Sequence, residues 1–80
     1  MIARLRKAAI VLSFAKTTDA MAVEKYCMAN NLPGRLIPIP REITAGCGLA
    51  WKAAPEDEEV LIRGLTEAGI SWSGLHHLEL

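Results

Sequence analysis

Ala8 to Ala15 reads Ala-Ala-Ile-Val-Leu-Ser-Phe-Ala, an unbroken apolar run of strand length, rich in β-formers. It predicts a strand buried within a sheet. The period then changes. Thr17-Thr18-Asp19 offers an N-cap followed by an acid for the first turn of a helix, which runs to about Asn30. Ala20, Val23 and Cys27 fall at i, i+3 and i+7, on one face of that helix, while Glu24, Lys25 and Met28 lie elsewhere on it. Asn30-Asn31 tolerates the left-handed conformation that ends helices, and Pro33-Gly34 prevents continuation.

Leu36-Ile37-Pro38-Ile39-Pro40 is a strand with a topological consequence. Prolines two residues apart lose their N–H groups on the same side, so this strand belongs at a sheet edge. Arg41 to Gly48 is a loop, and Leu49 to Ala54 a third strand. Pro55 fits the first position of a second helix, with acids filling its first turn and Leu61, Leu65 and Ala68 as its apolar stripe. Gly69 is the stop, Ile70 folds back on the helix end, and the last strand falls within Ile70 to Leu80. The order is βαββαβ. Two helices on one face of a four-stranded antiparallel sheet is the ferredoxin-like arrangement, an α+β fold. Its first and third strands are central and its second is an edge, in agreement with the prolines.

Composition narrows the function classes. Eighty residues, 51% hydrophobic and 22% charged, predict one globular domain over residues 1–80 rather than a disordered chain. Nine basic and nine acidic residues cancel, so no nucleic-acid partner is expected, since such binding requires a basic excess. The balance hides an asymmetry. Seven of the basic residues stand at or before Arg41 and seven of the acids after it, four of them in the run Glu56-Asp57-Glu58-Glu59, whose plain reading is a helix start. Two cysteines are too few for a disulfide scaffold, and there is no C-x-x-C. No apolar run approaches the ~20 residues of a membrane span. Arg4, Arg6 and Lys7 before the Ala8–Ala15 run give a signal-peptide outline, but Lys16 and Asp19 interrupt it and cleavage would remove the best core strand. A cytoplasmic location is expected, with no cofactor and no metal.

The candidate chemistry lies in Pro40-Arg41-Glu42-Ile43-Thr44-Ala45-Gly46-Cys47-Gly48. Gly46 and Gly48 leave the backbone around Cys47 open to positive φ and to close approach of another molecule. Successive N–H groups in such a loop can form an anion-binding concavity, and Arg41 adds a cation. These features favour thiolate over thiol, the form a sulfur nucleophile needs. The competing reading is that Cys47 is a small apolar residue opening the third strand. From spacing alone both readings stand. Arg41 is read as an anion-receiving group and Glu42 has no assigned role.

Elsewhere the bland readings prevail. Cys27 is expected in the core of the first helix. His76 and His77, adjacent on a strand, point to opposite faces and are badly placed to share a metal. RNA-recognition modules share the βαββαβ order, but they stack bases on aromatic residues of the central strands, where this chain offers Phe14 and Trp51 alone. Trp51 is expected to pack on the sheet face, where a dimer contact could cover it.

Arg35-Leu36-Ile37-Pro38-Ile39-Pro40-Arg41-Glu42-Ile43 followed by Cys47-Gly48-Leu49-Ala50 resembles the family of putative selenium/sulfur carrier-like proteins, small bacterial domains. The resemblance extends to the opening strand, to Thr17–Ala20 at the first helix start and to Pro55–Asp57 at the second. It implies a carrier of sulfur or selenium, with Cys47 as the thiol acceptor and donor and acceptor proteins as partners. Thr44-Ala45-Gly46 departs from it, standing where a more serine-rich stretch is expected. The leading reading is therefore a shuttle in which Cys47 accepts sulfur or selenium while Arg41, Gly46 and Gly48 shape its surroundings. The alternative is a non-catalytic ferredoxin-like interaction or regulatory module that binds a protein or small ligand, with Cys47 structural. Either is compatible with a homodimer, and no membrane partner is expected.

Overall fold

A computed structural model describes residues 7–43 and 46–80. Arg4, Arg6, Thr44 and Ala45, which enter the reading above, lie outside the described residues. The elements are β1 (Ala8–Ser13), α1 (Thr17–Ala29), β2 (Arg35–Pro38), β3 (Leu49–Ala53), a 3-10 turn at Pro55–Asp57, α2 (Glu58–Ala68) and β4 (Gly74–Glu79). The strands form one antiparallel sheet in the order β2-β3-β1-β4. With both helices on one face, this is the ferredoxin-like fold that the pattern predicts.

β2, the strand with the prolines, lies at a sheet edge as expected. Among the described residues β2 pairs with β3 and with no other strand. The Ile39 N–H donates to the Gly48 carbonyl at 3.0 Å, so it faces β3. Backbone amides alternate along a strand, so Pro38 and Pro40 turn their nitrogens to the outer edge, where no ladder is lost.

Side-chain alternation along β1 divides the core in two. Ile10 and Leu12, with Phe14 beyond the strand end, face the helices and pack with Ala20, Val23 and Cys27 of α1, Leu61 and Leu65 of α2, and Trp51 and Ala53 of β3. Val11 faces the other way and packs with Ala50 and with Ile43 from the β2–β3 loop. Trp51 is 2% exposed, its Nε1 donating to the Pro33 carbonyl at 3.1 Å, so it is a core residue and cannot reach a dimer contact. Gly34 makes this fit: its φ is +119°, and a Cβ there would overlap the indole nitrogen.

Local signals held with a few corrections. Asn31 takes the left-handed conformation (φ 54°) after α1. Gly69 does so after α2 (φ 72°), and the Ile70 N–H folds back to the Leu65 carbonyl at 3.0 Å. The cap of α1 is Lys16, not a threonine. Lys16 keeps an extended backbone while its carbonyl takes the Asp19 and Ala20 amides, so Thr17 is already helical and no side chain caps the helix. Ala68 is exposed at the last position of α2, and Ile62 packs on the core instead. Pro55 opens the 3-10 turn that leads into α2. His76 and His77 do point apart: His76 Nε2 shares a hydrogen bond with Ser13 Oγ at 3.3 Å, and His77 Nε2 meets Glu58 Oε1 of α2 at 2.8 Å.

Candidate functional site

The β2–β3 loop is pinned in three places. The Ile43 N–H donates to the Pro40 carbonyl at 3.0 Å, closing a turn with Arg41 and Glu42 exposed at its corner. The Ile43 side chain, 7% exposed, is buried against Val11 and Ala50 on the sheet face opposite the helices. Beyond Thr44 and Ala45, the Cys47 N–H donates to the Phe14 carbonyl at 2.9 Å, which carries the pairing with the β1 segment past Ser13.

Gly46 allows that last contact. Its φ is +124°, and a Cβ would stand 2.8 Å from the Phe14 carbonyl oxygen. Gly48 also has positive φ (+92°), but among the described residues a Cβ there would meet nothing within 4 Å. One glycine therefore serves a close backbone approach, and the other the bend that leads into β3.

Cys47 and Cys27 are both free, and they differ in every other respect. Cys27 is 1% exposed between α1 and the sheet, and burial pushes its thiol up to about 11. Cys47 is half-buried and packs against the helix-side core. Its Sγ lies 3.9 Å from the Leu49 carbonyl oxygen, a weak donor contact that only the protonated sulfur makes. The Cys47 amide is committed to Phe14, so it is not a free donor for an anion at the sulfur.

The site residues named from sequence thus fall into two groups. Gly46, Cys47 and Gly48 sit together where the loop enters β3, against the end of β1. Arg41 stands on the exposed turn before the Ile43 anchor, and among the described residues no hydrogen bond or ion pair joins it to Cys47. Sequence reasoning missed Ile43 as the residue that fixes the loop, and the Phe14 carbonyl as its second tether. Ile43 carried a signal, since it is a large β-branched side chain in an otherwise small and polar loop. The Phe14 contact carried none. Among the described residues no group of three or more His, Cys, Asp or Glu side chains is placed to hold a metal, and no helix is long and apolar enough to cross a membrane.

Comparison with known proteins bears on this arrangement. The family model described as "Putative Se/S carrier protein-like" matches residues 9–77. The chain is also similar to the uncharacterized protein YtiA of Escherichia coli (strain K12), at 36% identity over 58 residues that cover 69% of this chain and 68% of that protein. No solved structure matches it. The matched span takes in all but the last two residues of β4, along with the whole β2–β3 loop, and the chain belongs to the Se/S carrier protein-like family.

Proposed function

We propose that the protein carries sulfur or selenium as an adduct on Cys47. The observation that supports this most is the contrast between its two thiols. Cys27 is sealed in the core, whereas Cys47 is only half-buried and is tethered by its own backbone amide. A carrier thiol must be reached by a donor enzyme and again by an acceptor, and it must return to one position between the two encounters. A half-buried cysteine with a tethered backbone suits both demands.

The transfer is an exchange between sulfur atoms. Cys47 leaves its contact with the Leu49 carbonyl and loses its proton to solvent. The thiolate attacks the outer sulfur of a donor persulfide, an Sγ–S bond forms, the donor's S–S bond breaks, and the donor departs as a thiolate. The atom passes from one thiol to another, so no external oxidant is consumed. With selenium, the bond broken is the donor's S–Se bond. Arg41, on its exposed turn, meets the anionic donor during the encounter, and Gly46 and Gly48 let a partner's chain approach the sulfur. A cytoplasmic setting, where thiols stay reduced, suits such a carrier.

The test is the rate of alkylation at Cys47 by iodoacetate, an anionic reagent, across neutral pH in wild type, Arg41→Ala and Lys25→Ala. Cys47 should react well ahead of Cys27. Arg41→Ala should slow it and Lys25→Ala, on α1, should not. A Cys47 as slow as Cys27 would instead favour a binding module with a structural cysteine.

A further inference from the structure

At the opposite end of β3 from Cys47, an open groove of ≈ 400 Å³ is lined by Lys7, Arg35, Lys52 and Asp57 around a floor of alanines with Pro33 and Gly34. We infer that this groove binds a small organic phosphate, with the phosphate held by Lys7, Arg35 and Lys52.

Three observations lead there. First, Arg35 and Lys52 are direct partners in the β2–β3 register, so two cations face each other across neighbouring strands. Like charges in that position destabilise a sheet, and the arrangement is relieved by an anion between them. Second, among the described residues none of the three cations is held by a carboxylate. Third, Lys7 is fixed in place: its N–H donates to the Leu80 carbonyl at 2.9 Å, and its carbonyl accepts the Leu80 N–H at 2.9 Å. The basic lining is therefore set by backbone pairing on both sides of the groove.

Charge and size identify the ligand class. Three cations and one carboxylate leave two positive charges, which matches a phosphate monoester at neutral pH, with a charge of about −1.5 to −2. Arg35 offers the planar fork that takes two phosphate oxygens at once, and the lysines add point charges. The volume lies at the small end of the range for small-molecule sites. The alanine, proline and glycine floor presents no polar side chain and suits the apolar body of an organic ester better than a hydrated inorganic ion. Lys52 lies five residues beyond Cys47, roughly 16 Å along an extended strand, so this site is separate from the thiol and stands or falls without it.

The test is a titration of the isotope-labelled protein, followed by amide chemical shifts, with phenyl phosphate, phenol and inorganic phosphate as separate probes. Phenyl phosphate should give saturable shifts centred on Gly34, Arg35, Lys52 and Ala53, with a dissociation constant in the millimolar range or tighter. The double variant Arg35→Gln/Lys52→Gln should bind at least about tenfold more weakly, while Arg63→Gln, a cation on α2, should bind as wild type does. The double variant should also melt no lower than wild type, since it removes a like-charge pair; this separates lost binding from lost fold. Absence of saturable shifts, or equal binding by the double variant, would overturn the site. Equal affinity for phenol would overturn the role of the cations, and equal affinity for inorganic phosphate that of the organic body.

Discussion

The Cys47 amide donates to the Phe14 carbonyl at 2.9 Å, which ties the sulfur-bearing residue to a fully buried residue at the end of the central strand. Phe14 is fixed by the core, and Cys47 takes its position from Phe14. The thiol-bearing residue is thus placed by the packed core although it lies in a loop.

Gly46 should prove the more demanding of the two glycines beside Cys47. Gly46→Ala sets a Cβ 2.8 Å from the Phe14 oxygen at a φ of +124°. It should cost about 2–3 kcal/mol in urea unfolding. Gly48→Ala meets the strain of its positive φ with no close contact among the described residues and should cost about 1–2 kcal/mol. The reverse order would mean that the Phe14 contact does not hold the loop.

Ile43 anchors the loop from the other face. Ile43→Ala should lose about 2–4 kcal/mol, the usual range for emptying a buried isoleucine site. Arg41→Ala, two residues earlier and exposed, should stay within about 0.5 kcal/mol of wild type. Equal effects at the two positions would contradict the burial of Ile43.

The topology of the sheet was legible in the sequence because it rests on local properties. Pro38 and Pro40 remove amides on one side whatever surrounds them, and Gly69 ends a helix through its own backbone. The α1 core face of Ala20, Val23 and Cys27 follows from helical period alone. What was not legible depends on contacts between distant segments. Nothing in the loop sequence announces that the Cys47 amide will pair with Phe14, and the bulk of Ile43 signals burial without saying that Val11 and Ala50 will receive it. Lys16 displaced the threonines as cap because its carbonyl takes the first helical amides, a backbone choice that side-chain preference does not dictate. Arg41 and Cys47 are close in sequence, but the Ile43 anchor stands between them.

Cys27 should make stability fall in alkali. Its folded pKa is raised from 9.0 to about 11, so the folded state keeps a proton that the unfolded state gives up. Its contribution is therefore fully present below pH 9.0 and is lost as pH rises toward about 11. Across that window wild type should lose about 2–3 kcal/mol more than Cys27→Ala, in paired denaturant titrations. Parallel pH profiles for the two proteins would show that Cys27 is not the buried thiol.

The carrier role of Cys47 is met most directly by intact-mass spectrometry after incubation with a small-molecule persulfide donor and removal of the excess. Wild type should gain the mass of one sulfur atom, and the gain should disappear on treatment with a reductant. Cys27→Ala should gain the same increment and Cys47→Ser should gain none. An unchanged wild-type mass, or an increment that persists in Cys47→Ser, would contradict the assignment of Cys47 as the carrier thiol.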